Sequence, residues 1–166
     1  RIEIKTKKEN VDYRKLIAAG SCFAEGEEVI DYGFVERWIL GLEEKYGVEV
    51  MQVGYDRYNA ISTVQKLEAN SMECVEVKQH SSVLHPPTKL LREAILKKEF
   101  AYDENRLLEI NFQNARCTED TNLNKYVNKK RSAGKVDMVV STIIAVYLMQ
   151  QAMLDNSELD WGIQVI

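Results

Sequence analysis

Between residues 31 and 47 the stretch DYGFVERWILGLEEKYG places Val35, Trp38, Ile39, Leu42 and Tyr46 three or four positions apart, the spacing that gathers apolar side chains on one face of a helix. Asp31 stands where an N-cap belongs, and Gly47 where a left-handed residue closes a helix. The period then changes. VEVMQVGYD brings Val48, Val50, Met51 and Val53 into a run too short for a helix and apolar on both faces, which predicts a central parallel strand ending at Asp56. Helical spacing returns in NAISTVQKLEAN through Ile61, Val64 and Leu67, and MECVEVK supplies a second short strand with Cys74, Val75 and Val77. Helix, strand, helix, strand in that order predicts an α/β fold, a parallel sheet with helices packed on it.

Upstream, RIEIKTK alternates with period two and predicts part of a strand. Downstream, a loop over QHSSVLH leads to Pro86 and Pro87, which suit the first turn of a helix continued by Leu90, Leu91, Ala94 and Ile95. AYDENRLLEINFQNARC predicts a further helix through Leu107, Leu108 and Phe112, running out near Asn114 or Cys117. CTEDTNLNKYVNKK has the form of a hairpin with an Asn-rich turn, and from about Gly134 a helix carries Val136, Val140, Ile143, Ile144 and Tyr147 as its inner stripe. Residues 155–166 form a weakly ordered tail in which Trp161 could still pack. There are no internal repeats and no low-complexity tracts.

Composition narrows the class without changing the element order. With 166 residues, 45% hydrophobic and 29% charged, the chain is large enough for one good core, and one domain is expected. The longest apolar stretch, 136–149, is interrupted by Asp137 and Ser141 and falls short of the roughly 20 residues that span a bilayer, so no membrane partner is expected. Three cysteines (Cys22, Cys74, Cys117) without a CxxC pair argue against a disulfide framework or a zinc site, and no signal peptide precedes the first polar segment, an intracellular pattern. The chain opens with Arg1 inside an apparent strand, as a piece of something longer would.

The net charge of −4 argues against a general nucleic-acid binder, but its distribution is uneven: KYVNKKRSAGK, residues 125–135, carries Lys125, Lys129, Lys130, Arg131 and Lys135 with no acid. From charge alone such a strip is most often a solvated face. Two carboxylates give it more weight. Asp56 stands at the carboxyl end of a strand, where ligands collect in open α/β sheets; the plainer reading makes it a cap for the helix over 59–70. Asp137 lies in the first turn of the most apolar helix, where the helix dipole favours it by about 0.3 to 1 kcal/mol, or where a divalent cation serves as partner. Acids from separate elements beside lysines are what phosphodiester hydrolysis needs, since carboxylates hold hard cations and lysines hold phosphates. His80 and His85 lie in the Ser-containing loop without a matching ligand spacing and are read as ordinary loop residues.

Taken in order, GYDRYNA, PPTKLL and LLEINFQNARCTEDTNLNKYVNKKRSAGKVDMVVS resemble the C-terminal nuclease domain of the large terminase subunit of tailed bacteriophages, with its pattern YDRWNA … N … K … GxIDG(I/V)VA. The stretch VDYRKLIAAGSCFAEGEEVIDYGFV is similar to the segment before that pattern, so the resemblance covers nearly the whole chain. It implies an RNase H-like mixed sheet flanked by helices over residues 1–154, and an endonuclease that uses Mg²⁺ or Mn²⁺, in a two-metal site, to cut concatemeric viral DNA during packaging in the bacterial host's cytoplasm. It also implies duplex DNA, a small terminase subunit and the portal protein as partners. The family's acid after the central strand falls on Asp56, its acid opening the last helix on Asp137, and a recurrent Asn on Asn114, which either orients the site or ends its helix as a C-cap.

Two departures qualify the carry-over. A further family aspartate comes from a first strand that Arg1 follows, and neither Glu3 nor Asp12 has a matching context, so the fragment alone is expected to bind metal poorly. The usual Gly after the last acid is Met138 and the usual Ala is Ser141. There is no GxxxxGK[ST] loop, so no ATPase can be located in these residues. The alternative to the nuclease is a non-catalytic DNA-binding or docking module that presents the basic strip and uses the acids only as caps.

Overall fold

The computed structural model describes residues 2–26, 28–58 and 60–155, together with the backbone of Gln164 and Val165. The chain divides into two compact units, one formed by Glu25–Gln79 and the other by Arg1–Ala24 with His80–Ile166. Of the tail predicted over 155–166, Asp155 ends the last helix and Gln164 and Val165 form a short strand, while residues 156–163 and 166, with Trp161, lie outside the described residues.

The smaller unit is built by a strand, helix, strand crossover. Its elements begin with the first two helices of the larger unit already passed: α1 is Ile2–Glu9 and α2 Tyr13–Ala18, and the smaller unit follows with α3 Tyr32–Leu40, α4 Leu42–Tyr46, β1 Val53–Tyr55, α5 Ile61–Ala69 and β2 Cys74–Glu76. β1 and β2 run parallel in the register Val53↔Cys74, Gly54↔Val75 and Tyr55↔Glu76. The ladder is extended at both ends, from Val53 N–H to the Glu73 carbonyl at 2.8 Å and from Val77 N–H to the Tyr55 carbonyl at 2.9 Å. Val64, Leu67 and Val77 are its buried apolar side chains.

Three expectations for this unit change. The long helix breaks at Gly41 into α3 and α4, closing at Gly47 with φ 67° as its left-handed C-cap. Asp31 is the N-cap residue of α3 but makes no side-chain capping bond. The stripe of Val35, Trp38 and Tyr46 is exposed, and Glu36 is the residue that α3 buries, at 6% exposure. The reason lies on α5: Lys66 donates to Glu36 Oε2 at 2.9 Å and Thr63 to Oε1 at 3.1 Å, so the carboxylate is satisfied in the packed face. Finally, residues 48–52 stay outside the ladder and Met51 is exposed, because β2 is the one strand that pairs with β1 among the described residues. β1 is therefore not a central strand buried on both faces.

The larger unit continues with α6 Ser81–Lys97, β3 Ala101–Tyr102, α7 Arg106–Asn114, the antiparallel pair β4 Cys117–Glu119 and β5 Lys125–Val127, α8 Asp137–Asp155, and β6 Gln164–Val165, whose backbone pairs in parallel with β3. α6 packs on α8 and on β5, and α7 packs on α8. The core comes from Leu84, Leu91 and Ala94 of α6, Leu108 of α7, and Val139, Val140, Ile143, Ile144, Val146 and Leu148 of α8. By length and composition α8 could cross a membrane, with a mean hydropathy of 1.4, but those six residues show the packed face that its apolar character serves here.

The predicted hairpin and the last two helices stand close to their expected bounds. The opening segment differs: RIEIKTK is helical in α1, buries no side chain, and leaves Ile4 70% exposed. A strand needs a ladder partner, whereas a helix here puts Glu3 and Lys7 at the i, i+4 spacing and is tied to α2 by the Arg14 to Glu3 ion pair at 2.5 Å and the hydrogen bond that Tyr13 donates to Glu9. α6 also differs. It begins at Ser81, five residues before Pro86, with His80 as N-cap accepting from Ser82 N–H, so QHSSVLH supplies its first turn rather than a loop. Pro86 and Pro87 then lie inside the helix, where the carbonyls of Ser82 and Val83 lose their usual donors.

Candidate functional site

Asp137 is the first residue of α8, between the buried Val136 and Val139, and its own side chain is 66% exposed. That placement follows from the helix period: the inward positions are Val136, Val139, Val140 and Ile143, which leaves Asp137 on the rim at the positive end of the helix dipole. Two asparagines of α7 hold the start of α8 in place. Asn111, 3% exposed, accepts from Met138 N–H at 3.2 Å and donates to the Leu107 carbonyl at 2.9 Å, so it satisfies a backbone donor that the first turn of α8 leaves free. Asn114 donates from Nδ2 to the Lys135 carbonyl at 3.1 Å, and its own carbonyl accepts from Ala133 N–H at 2.9 Å. The C-cap of α7 is Ala115, so the Asn114 side chain secures the lead-in to Asp137 and not the end of its own helix.

Gly134 completes this packing. A Cβ there would lie 2.7 Å from Asn114 Nδ2, closer than side-chain atoms approach, so the amide sits where only glycine leaves room. Asn111 was not singled out from sequence. Its signal is an asparagine three residues after Leu108, on the stripe that α7 buries.

The basic strip is shaped by Asn128. Its Oδ1 accepts from Lys130 N–H at 3.0 Å and Arg131 N–H at 3.2 Å, its carbonyl accepts from Ser132 Oγ at 2.8 Å, and its N–H donates to the Arg116 carbonyl at 2.9 Å. This is a tight Asx turn that displays Lys129, Lys130 and Arg131 in solvent. Lys129 Nζ lies 3.8 Å from Asp137 Oδ1, which brings the strip and the acid together as the sequence suggested. Lys125 pairs with Glu119 at 2.8 Å. Lys130, Arg131 and Lys135 have no carboxylate partner among the described residues. Tyr13 of α2 lies within the field of this site: burial foremost, then its hydrogen bond to Glu9 and the negative charges of Glu9 and Asp137, hold its phenol above the ordinary range and keep it protonated.

Asp56 belongs to the smaller unit and follows directly on β1. It does not cap α5, whose N-cap residue is Ala60 with no side-chain capping bond. Its Oδ1 instead accepts from Tyr58 N–H at 3.4 Å, a long bond within a local turn. Cys74 is half-buried in β2.

Hard divalent cations take six or more oxygen ligands, and Mg²⁺ is held through one or two carboxylates with waters and phosphate oxygens completing its shell. Among the described residues no three His, Cys, Asp or Glu side chains converge as such ligands would. Asp137 lies beside a lysine and Asp56 accepts from a backbone donor, and no set of three such ligands is complete in either unit among the described residues.

A family model described as "Terminase large subunit, endonuclease domain" matches residues 2–153. Among solved structures, the chain is similar to one titled "Crystal structure of the HK97 bacteriophage large terminase", at 19% identity and a TM-score of 0.79, covering 89% of this chain and 31% of that one. The likeness establishes the fold: small sheets flanked by helices in the RNase H-like arrangement. The chain spans about a third of that protein's length. Comparison with curated proteins finds no match.

Proposed function

The chain belongs to the family of terminase large subunit endonuclease domains, and from that premise we propose that residues 1–154 act as one nuclease domain that cuts duplex DNA with the help of Mg²⁺ or Mn²⁺. Its substrate is concatemeric viral DNA, cut as genomes are packaged in the cytoplasm of the bacterial host, and its partners are the small terminase subunit and the portal protein. Residues 155–166 follow it as a tail whose Gln164 and Val165 pair with β3.

The observation that carries this reading is the setting of Asp137: an exposed carboxylate on the rim of a rigid core, backed by Asn111 and Asn114 and flanked at 3.8 Å by a lysine of the basic turn. In the proposed reaction Lys130 and Lys135 hold backbone phosphates as flexible point charges and Arg131 as a planar two-donor fork, with Lys125 beyond them. Lys129, now the partner of Asp137, is free to turn to phosphate once the carboxylate finds a stronger cation. Asp56 supplies the second carboxylate, and Asn114 acts as a positioning residue by fixing the lead-in to Asp137. Divalent cations, when bound, activate water and stabilise the leaving oxygen; their ligand set needs more than these two residues.

Two observations favour the alternative, a non-catalytic DNA-binding or docking module: the described residues hold no three-ligand cluster, and Asp137 pairs with Lys129 at 3.8 Å. The test is Mn²⁺-dependent nicking of supercoiled plasmid by the full-length protein that carries this domain, beside its Asp56→Asn and Asp137→Asn variants. The nuclease reading expects cutting that each variant loses by orders of magnitude. Cutting that survives both substitutions removes these carboxylates from the site, and DNA binding without any cutting by the parent protein establishes the docking module.

A further inference from the structure

With α6 starting at Ser81, His85, Lys89 and Arg92 stand at i, i+4 and i+7, on one face of that helix. This face is one wall of a cleft of about 210 Å³ whose other wall is the β4–β5 hairpin, with Cys117 and Lys125 among its lining residues. His85 ties the walls together: its Nδ1 accepts from Lys125 N–H at 2.8 Å, which requires the ring proton on Nε2 and leaves that nitrogen a donor. Thr88, on the same wall and 6% exposed, has a hydroxyl with no hydrogen-bond partner in the described structure. Lys89 reaches Glu93 only at 3.9 Å and Lys125 pairs with Glu119, while Arg92 has no carboxylate partner among the described residues.

The chemistry of this concavity is that of an oxyanion site. Three cationic side chains face one acid, the remaining polar groups are donors, and an unpaired guanidinium is the fork that fits two oxygens of a phosphate. No Phe, Tyr or Trp lines it, so a base has no platform on which to stack. Lys125 belongs both to this cleft and to the basic strip, which makes the two surfaces continuous.

We propose that the α6 and hairpin cleft binds a backbone phosphate of duplex DNA, extending the contact from the Asn128 turn through Lys125 onto Lys89 and Arg92. The inference rests on the DNA-cutting reading above and adds to it a second contact surface, on a helix that does not carry the candidate catalytic acids. The cleft holds its own reporter, since Cys117 is exposed there while its thiol is pushed up by loss of hydration against the wall, with Lys125 and Arg92 pulling the other way.

The experiment measures binding of a duplex of about 30 base pairs across a salt series, with the full-length protein, a Lys89→Gln/Arg92→Gln variant and a Lys129→Gln/Lys130→Gln variant. Two lost phosphate contacts should lower the slope of log affinity against log salt by about 1.8 and weaken binding on the order of 10- to 30-fold at 0.15 M salt. In the parent, DNA should also slow alkylation of Cys117, read by peptide mass spectrometry, while inorganic phosphate at the same phosphate concentration protects weakly or not at all. Circular dichroism checks that the exposed substitutions leave the fold unchanged. If the strip variant loses binding while the α6 variant keeps the parent slope and Cys117 is unprotected, the cleft is not a DNA contact and the nuclease reading stands. If the parent binds no DNA, both readings fall. Equal protection by free phosphate overturns the duplex as the ligand.

Discussion

Gly134 and Asn114 should behave as a coupled pair, and the sign of a single substitution should depend on the other residue. A Cβ at Gly134 would meet Asn114 Nδ2 at 2.7 Å and Cγ at 3.1 Å, so Gly134→Ala must push the amide away. That amide donates to the Lys135 carbonyl at 3.1 Å, a bond with no slack to spare, and its loss is worth about 1 kcal/mol at a site where the freed groups can rehydrate. Against this, replacing glycine at a position outside the left-handed region stabilises by roughly 0.4 to 1 kcal/mol through the unfolded chain. The two terms nearly cancel, and Gly134→Ala alone should be neutral to destabilising by about 1 kcal/mol. Asn114→Ala should cost about 1 kcal/mol by itself, and in that background the clash is gone, so Gly134→Ala should become stabilising. Urea unfolding of the four proteins, followed by far-UV circular dichroism, gives the coupling directly. A coupling near 1 kcal/mol supports the geometry; effects of Gly134→Ala that agree within about 0.3 kcal/mol in the two backgrounds refute it. Because the same bond leads into Asp137, both single variants should also nick plasmid more slowly than the parent.

Other expectations follow from buried or charged groups. Lys66→Met leaves the Glu36 carboxylate, 6% exposed, with Thr63 alone and should cost about 2 kcal/mol, less than a fully buried pair because Lys66 is half in solvent, whereas the Glu36→Leu/Lys66→Met double variant should recover to within about 1 kcal/mol of the parent in urea midpoint. Asn111→Ala strands Met138 N–H and should cost about 1 to 3 kcal/mol, with faster hydrogen exchange at Met138. Asp120 holds the hairpin turn to the start of α6, with its acidity raised first by the Ser81 hydroxyl and then by Asn124; its folded pKa is therefore depressed, so its contribution is complete above the ordinary carboxylate value of about 4 and is lost as pH falls through the lower folded value. Amide exchange over 117–127 should accelerate in that acid window, and Asp120→Asn should show the fast exchange at neutral pH as well.

The elements legible in sequence are those whose signal is local. Val64 and Leu67 on α5, the Asn-rich turn between β4 and β5, and the apolar period of α8 each specify their element without help from distant residues. Where the outcome depends on a partner, the pattern misleads. RIEIKTK satisfies a strand alternation and a Glu3 to Lys7 helix pairing equally well, and α2 decides between them. The apolar stripe of α3 is a sound helical pattern, but which face is buried depends on Lys66 and Thr63, 30 and 27 residues away. Pro86 is a good start signal on its own, and the competing cap at His80 with the Ser81 to Asp120 bond at 2.5 Å outweighs it. That one displacement also hid the cleft, because a histidine assigned to a loop cannot show its i, i+4, i+7 relation to Lys89 and Arg92.

Asp56 shows why the choice between cap and ligand is a question of position rather than of residue type. An N-cap must stand immediately before the first helical residue, where its side chain reaches the N–H groups two or three positions on. α5 begins at Ile61, so the cap position belongs to Ala60, and Asp56 is too early to serve. Among the described residues it accepts one backbone N–H, from Tyr58 at 3.4 Å, and it stands half-buried at the carboxyl end of a parallel strand. Replacing the carboxylate with the isosteric amide therefore sacrifices little in the fold, and a loss of cutting in Asp56→Asn can be assigned to chemistry once its urea midpoint matches the parent.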